Sequence, residues 1–221
     1  MSFSVLVAAG ARLRFVLFLI AVSIWGANAI TGKQAFAASF NEVQEADLRA
    51  ASRYLNNVKS LKSRFLQVSP DGGFTQGDFM LRRPGRLRFE YDPPSPYLVL
   101  ADGFWLYFLD KELGEPQNWP IQDTPLGVLV AEKVNLVDNP DVEEVTRFPG
   151  RLVITLRDQK RPDEGTVSLV FSMAPLILRQ WKIVDSQGQR TTVTLDKIET
   201  GMHLPATLFV MPSKKELDKA R

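Results

Sequence analysis

The chain's one histidine, His203, stands in Gly201-Met202-His203-Leu204-Pro205. A Ser-His-Asp triad would have to use it, yet no Gly-x-Ser-x-Gly elbow presents a serine. Glu143 and Glu144 are adjacent carboxylates, and neighbours in a strand face opposite sides, so they read as solvated surface charge. Cysteine is absent, which removes thiolate nucleophiles, thiolate metal ligands and disulfides together. With one histidine and no cysteine, a zinc site is not expected. No Walker loop and no Gly-x-Gly-x-x-Gly before a helix offers a phosphate cradle. No catalytic residue, no metal and no cofactor are expected, and a hydrolase is disfavoured.

The unusual resource is apolar supply. Phe104 to Leu109 carries bulky apolar groups on both faces, and Pro125 to Val130 adds more. In a helix expected over Asn41–Lys62, Leu48, Ala51, Leu55 and Val58 recur at spacings of 3, 4 and 3 and form one stripe. After Ser63 the period changes to two. Strands are expected from Phe65–Gln67, over Phe74–Arg82, through Leu87, Phe89 and Tyr91, and over Tyr97–Ala101 and Phe104–Leu109. They resume at Val142–Phe148, Leu152–Asp158, Thr166–Phe171, Ile177–Val184 and Thr191–Ile198, with a last one at Ala206–Val210. Turn chemistry separates them: Pro70-Asp71-Gly72, Pro84-Gly85, Asp102-Gly103 and Pro149-Gly150. Lys111–Pro125 reads as a loop, and Leu126–Leu136 as a short, weakly helical insertion.

About ten antiparallel strands in a meander must curl to hide their inner face. The fold class expected is mainly β with helices: an incomplete, half-open antiparallel β-barrel covered by a helical lid and enclosing an apolar cavity. Leu87, Phe89 and Tyr91 should face inward, because Arg86, Arg88 and Glu90 occupy the other face. Leu126, Leu129 and Val130 would be the lid's apolar side, and Leu48, Leu55 and Val58 the helix stripe.

The 221 residues suit one domain and an export segment. Apolar residues make up 45% and charged residues 24%, values of a folded soluble protein rather than a disordered or multi-span one. Arg12 and Arg14 precede the apolar run Phe15–Trp25, and the small-residue sites Ala27-Asn28-Ala29 and Ala35-Phe36-Ala37 follow. That order reads as a signal peptide over residues 1–37, removed after Ala37. Residues 38–221 would form the single domain, with a frayed tail from about 213. Residues 1–37 hold Arg12, Arg14 and Lys33 and no acidic residue, so 27 basic residues fall to 24, against 25 acidic ones. Nothing in that balance proposes nucleic acid as a partner.

Leu81-Arg82-Arg83-Pro84-Gly85-Arg86-Leu87-Arg88-Phe89-Glu90-Tyr91 resembles the LolA-type periplasmic lipoprotein carriers. The family shows a strand ending in a basic residue, Arg-Pro, a turn residue and alternating apolar positions. Other features agree in order: the N-terminal amphipathic helix before Phe65-Leu66-Gln67, Gly77, Asp102-Gly103 followed by aromatics, Leu109-Asp110, and Asp123-Thr124-Pro125-Leu126. Phe209-Val210-Met211-Pro212 is similar to the family's C-terminal strand, although Ser213 stands where a glycine is usual. The resemblance spans about residues 42–212.

It implies a periplasmic, monomeric carrier for triacylated lipoproteins. Such a carrier receives its cargo from an inner-membrane ABC exporter and passes it to an outer-membrane acceptor that is itself a lipoprotein. The missing cysteine favours the carrier over the anchored acceptor. By the same resemblance, Arg83 is the latch that bonds to lid carbonyls and keeps the empty cavity shut. Leu87, Phe89, Tyr91, Leu48, Leu55, Val58, Leu126, Leu129 and Val130 would meet lipid. Two alternatives share the fold: a carrier of a free lipid or glycolipid, and a lipoprotein-sensing domain.

Overall fold

The structure is a computed structural model and describes residues 40–213. The expected export segment and the end of the tail lie outside these residues. A helix, α1 (Glu42–Asn57), leads into strands β1 (Ser60–Val68), β2 (Phe74–Arg82), β3 (Arg86–Tyr91), β4 (Tyr97–Asp102), β5 (Trp105–Asp110) and β6 (Pro116–Pro120). A crossing segment carries one helical turn, α2 (Gly127–Val130). Then come β7 (Val142–Phe148), β8 (Arg151–Leu156), β9 (Gly165–Met173), β10 (Leu176–Asp185) and β11 (Arg190–Thr200).

All eleven strands form one antiparallel sheet in the order β6-β5-β4-β3-β2-β1-β11-β10-β9-β8-β7. It is two hairpin meanders joined along β1 and β11, with Phe65 opposite Leu195. β6 and β7 are free edges, so the sheet is curled but not closed, as an incomplete barrel requires.

Helix α1 starts where its cap permits. The Asn41 side chain accepts from the Gln44 amide at 2.9 Å, and the Gln44 side chain accepts from the Asn41 amide at 3.0 Å. That capping box, with Glu42 and Glu45 in the first turn, suits the helix N-terminus. Leu48, Ala51 and Leu55 are buried on its inner stripe. The helix ends at Asn57, short of the expected Lys62. From Ser60 onward the backbone finds ladders on both sides, β2 and β11, and two ladders outweigh another helical turn.

Three further expectations are corrected. Pro116–Pro120 is a strand inside the expected loop; it forms the sheet's edge, with a proline at each end where a missing N–H is tolerated. Ala206–Phe209 is a 3₁₀ turn, not a strand. β11 is already paired on both sides, so this segment instead lies across the outer face of β3 and β4. The Arg82 and Arg88 guanidiniums hold it by donating to the Leu204 and Leu208 carbonyls. The helical part of Leu126–Leu136 is only Gly127–Val130.

Candidate functional site

The inner face of the sheet is a continuous apolar surface. Phe65 of β1, Phe79 of β2, Leu87 and Phe89 of β3, Phe171 of β9, and Leu178 and Trp181 of β10 are buried in one cluster. Their rings interlock: Phe79 meets Phe89 at 4.5 Å and Trp181 at 5.5 Å, and Phe65 meets Phe89 at 5.2 Å and Tyr91 at 5.0 Å between centroids. Phe65 reaches this position because β2 has Gly77 opposite it. A side chain there would collide with the Glu90 carbonyl and the Phe65 ring.

Two elements cover this face. Leu48, Leu55 and Val58 of α1 join the cluster, and so do Leu129 and Val130 of the crossing segment, with Leu126 packed against it. Tyr91 lies at its margin, half-buried, its hydroxyl donating to the Gln67 side chain at 2.8 Å. Burial pushes the Tyr91 phenol well above its usual range, with the Gln67 bond opposing weakly. All nine apolar residues singled out in the sequence are therefore brought together. One cavity among them measures about 20 Å³ and is lined by residues including Leu55, Val58, Phe79, Leu129 and Arg83. That holds roughly one water, so no acyl chain fits this cavity without a rearrangement.

The crossing segment is fastened at two places. On one side it is hooked to α1. The Asn56 side chain donates to the Val134 carbonyl and accepts from the Val134 amide, both at 2.8 Å. Ser52 Oγ accepts from the Leu136 amide at 3.0 Å while donating to the Leu48 carbonyl. On the other side it touches the β2–β3 turn: the Arg83 Nη1 donates to the Ala131 carbonyl at 3.0 Å, and the Gly85 amide donates to the Val130 carbonyl at 2.8 Å. Gly85 has φ +77 and sits so close to the β4–β5 turn that an added Cβ would lie 2.7 Å from Gly103. Only glycine brings this amide to the lid.

Arg83 is 8% exposed, makes no ion pair among the described residues, and has a buried Nε without a partner. Burial lowers its guanidinium to about 10, an effect the neighbouring Tyr54 phenol opposes. A buried cation held by one carbonyl is an incompletely satisfied group, and its burial offsets part of what the bond to Ala131 contributes. The sequence singled out Arg83 through resemblance alone. Gly85, Ser52 and Asn56 were missed, as were Phe65, Phe79, Phe171 and Trp181. The ring positions had a signal, since they sit in period with buried neighbours along their strands. The two polar hooks had only their place beside the helix stripe.

The family model for "Outer membrane lipoprotein carrier protein LolA" matches residues 56–212. The chain belongs to the LolA family. An outer-membrane lipoprotein carrier protein of Azotobacter vinelandii (strain DJ / ATCC BAA-1303) is 26% identical over 184 residues, 79% of this chain and 88% of that one. One from Legionella pneumophila (strain Corby) is 29% identical over 175 residues, 74% and 84%. The crystal structure of a LolA superfamily protein from Nitrosomonas europaea matches with a TM-score of 0.41 at 10% identity, over 78% of this chain and 99% of that one. LolA is a family of carriers rather than enzymes. Among the described residues, no helix is long and apolar enough to cross a membrane.

Proposed function

We propose that this LolA-family chain is a periplasmic carrier that takes the acyl chains of lipoproteins released from the inner membrane and delivers them to the outer membrane. In this reading it meets an inner-membrane ABC exporter at loading and an outer-membrane acceptor at release, works as a monomer, and catalyses no reaction. The observation that carries the reading is the lid, whose apolar side closes over the cluster while Arg83 and Gly85 hold it to the sheet.

The energies fit a carrier driven by its cargo. An acyl chain of roughly 15 methylenes costs about 12 kcal/mol to leave in water, at about 0.8 kcal/mol per CH₂. A hydrogen bond from a charged donor is worth about 1.5–3 kcal/mol. Incoming chains can therefore displace the Ala131 bond, and the bond can still shut the empty interior. Lifting Leu126, Leu129 and Val130 as a unit would expose the ring cluster, which is the acyl site in this proposal. After release, the lid recloses without ATP.

The test is Arg83→Leu. The variant should fold, accept labelled triacylated lipoprotein from inner-membrane vesicles, and retain it when acceptor membranes are added. Wild-type transfer from that variant would remove the latch. A protein that loads free phospholipid and never lipoprotein would overturn the cargo.

A further inference from the structure

A second cavity shares Arg83 as a lining residue with the one in the apolar interior. It has a volume of about 390 Å³ and is lined by Lys59, Ser60, Arg82, Arg83 and the strap Gly201–Leu204. The fold builds it deliberately. Ser60 and Arg82 are register partners at the ends of β1 and β2, and the Arg83 amide donates to the Lys59 carbonyl at 2.9 Å. The strap is fixed over them by three bonds. Ser60 Oγ donates to the Met202 carbonyl at 2.6 Å, the Gly201 amide donates to the Ser60 carbonyl at 3.2 Å, and Arg82 Nη1 donates to the Leu204 carbonyl at 2.9 Å.

Three cations and His203 thus line one cleft, and no carboxylate lines it. Lys59, Arg82 and Arg83 make no ion pair among the described residues. Like charges gathered in a partly desolvated cleft raise the local potential and invite an anion. Arg83 adds the specific element. It is nine-tenths buried, its Nη1 is committed to Ala131, and its Nε is buried with no partner. Nε is shut away from the cleft, so Nη2 is the nitrogen left to meet a phosphate with a charge-assisted hydrogen bond. Met202 and Leu204 give the cleft an apolar wall beside these donors.

We propose that this cleft is a binding site for a phosphate ester, seated against Lys59 and Arg82 with the Arg83 guanidinium in its wall. The lid contact uses a different nitrogen, so both can be satisfied at once. The anion neutralises the buried guanidinium and leaves it in place against Ala131. Its effect on the lid rests on the latch reading above; the binding itself does not.

The experiment is a titration of the purified, lipoprotein-free protein followed by the ¹⁵N resonances of arginine Nε–H groups. The probes are inorganic phosphate, glycerol 3-phosphate and a short-chain, micelle-free phosphatidylglycerol. The expected result is a saturable shift of the Arg83 signal, weakened about tenfold by Lys59→Ala, as for one lost charge-assisted contact. Binding of the two small anions alone would assign the site to soluble phosphate esters, and tighter binding of the lipid would assign it to a headgroup. No saturable shift with any of the three, or a titration that Lys59→Ala leaves unchanged, would overturn the proposal. Arg82→Ala provides a second variant if Lys59→Ala fails to fold. Failure here would leave the transfer experiment on Arg83→Leu unaffected.

Discussion

The two wings of the sheet divide their burial differently between inner and outer face. In the β8–β10 wing the buried side chains, Leu152, Ile154, Leu169, Phe171 and Trp181, point into the curl and are covered by α1 and the lid. In the β4–β5 wing the large fully buried side chains, Leu98, Leu100 and Leu109, are 0% exposed on the outer face, where Met211 packs on them. The inner face of that wing carries Ala101 and Leu106, which join the main cluster near the β4–β5 turn, and Tyr97, Val99 and Phe108, which are only half-buried. Tyr97 stands between Tyr91 and Phe108, at 6.1 and 5.3 Å, so the aromatic surface continues from the sealed wing into the open one. A wing packed on its outside can keep its shape while its inside stays available. Under the proposed carrier reading, one wing of the curl is a fixed wall and the other a landing face for cargo.

The largest expected effect tests the wall. Trp181→Ala should cost about 3–5 kcal/mol in urea unfolding, since it empties the centre of the packed side. An effect no larger than that of an exposed residue would collapse the distinction between the wings. Next comes the hook that joins lid to helix. Asn56→Ala leaves the Val134 amide and carbonyl without their partner, so about 1–3 kcal/mol of stability should be lost. Hydrogen exchange at Val134 and Leu136 should accelerate well before that of the β9 amides; equal acceleration everywhere would mean that the lid is not a separate unit.

Phe108→Ala is expected to cost only about 1 kcal/mol, because the ring is half-buried. It should slow lipoprotein loading more than its stability loss explains. A normal loading rate would remove the landing face. The smallest effect concerns acidity. Burial places the Arg83 guanidinium near 10 against an ordinary 12.5. The group therefore stays charged far below that value, and its unfavourable burial is relieved only as pH rises through about 10. Latch-dependent transfer should be flat between about pH 5 and 8, where histidine is the side chain that ordinarily titrates. A step in the wild type that Arg83→Leu abolishes would contradict this.

Much of this contrast was legible in the chain. Arg86 to Tyr91 alternates charge and apolar bulk, and β3 follows that period with Leu87 and Phe89 inside. The α1 stripe was readable, but its end was not. Val58-Lys59-Ser60-Leu61 fits either period, and the choice was made by β2 and β11. β6 was hidden by its prolines, which an edge strand tolerates and an interior strand does not. Ala206–Val210 alternates like a strand, yet no free edge beside β11 remained for it. Of the candidate site, the apolar members could be found by periodicity. Arg83 needed the family resemblance, because a lone arginine before a turn has no signature of its own. The hooks Ser52 and Asn56 depend on a segment 78 to 84 positions away, a distance at which local pattern carries no information.

The seam between β1 and β11 also has a consequence for how the protein is made. Every other neighbouring pair of strands is a local hairpin, whereas Leu61 must find Thr200 across nearly the whole described chain. Pairings of such high sequence separation form late, after loop closure has been overcome. As the polypeptide emerges from its N-terminus, β1 appears early and its second neighbour comes last of all the strands. Until then Phe65 and the apolar face beside it stand at an unpaired edge, the kind of surface on which partly folded chains aggregate. A protein that shields the greasy ends of others therefore passes through a stage in which its own needs shielding.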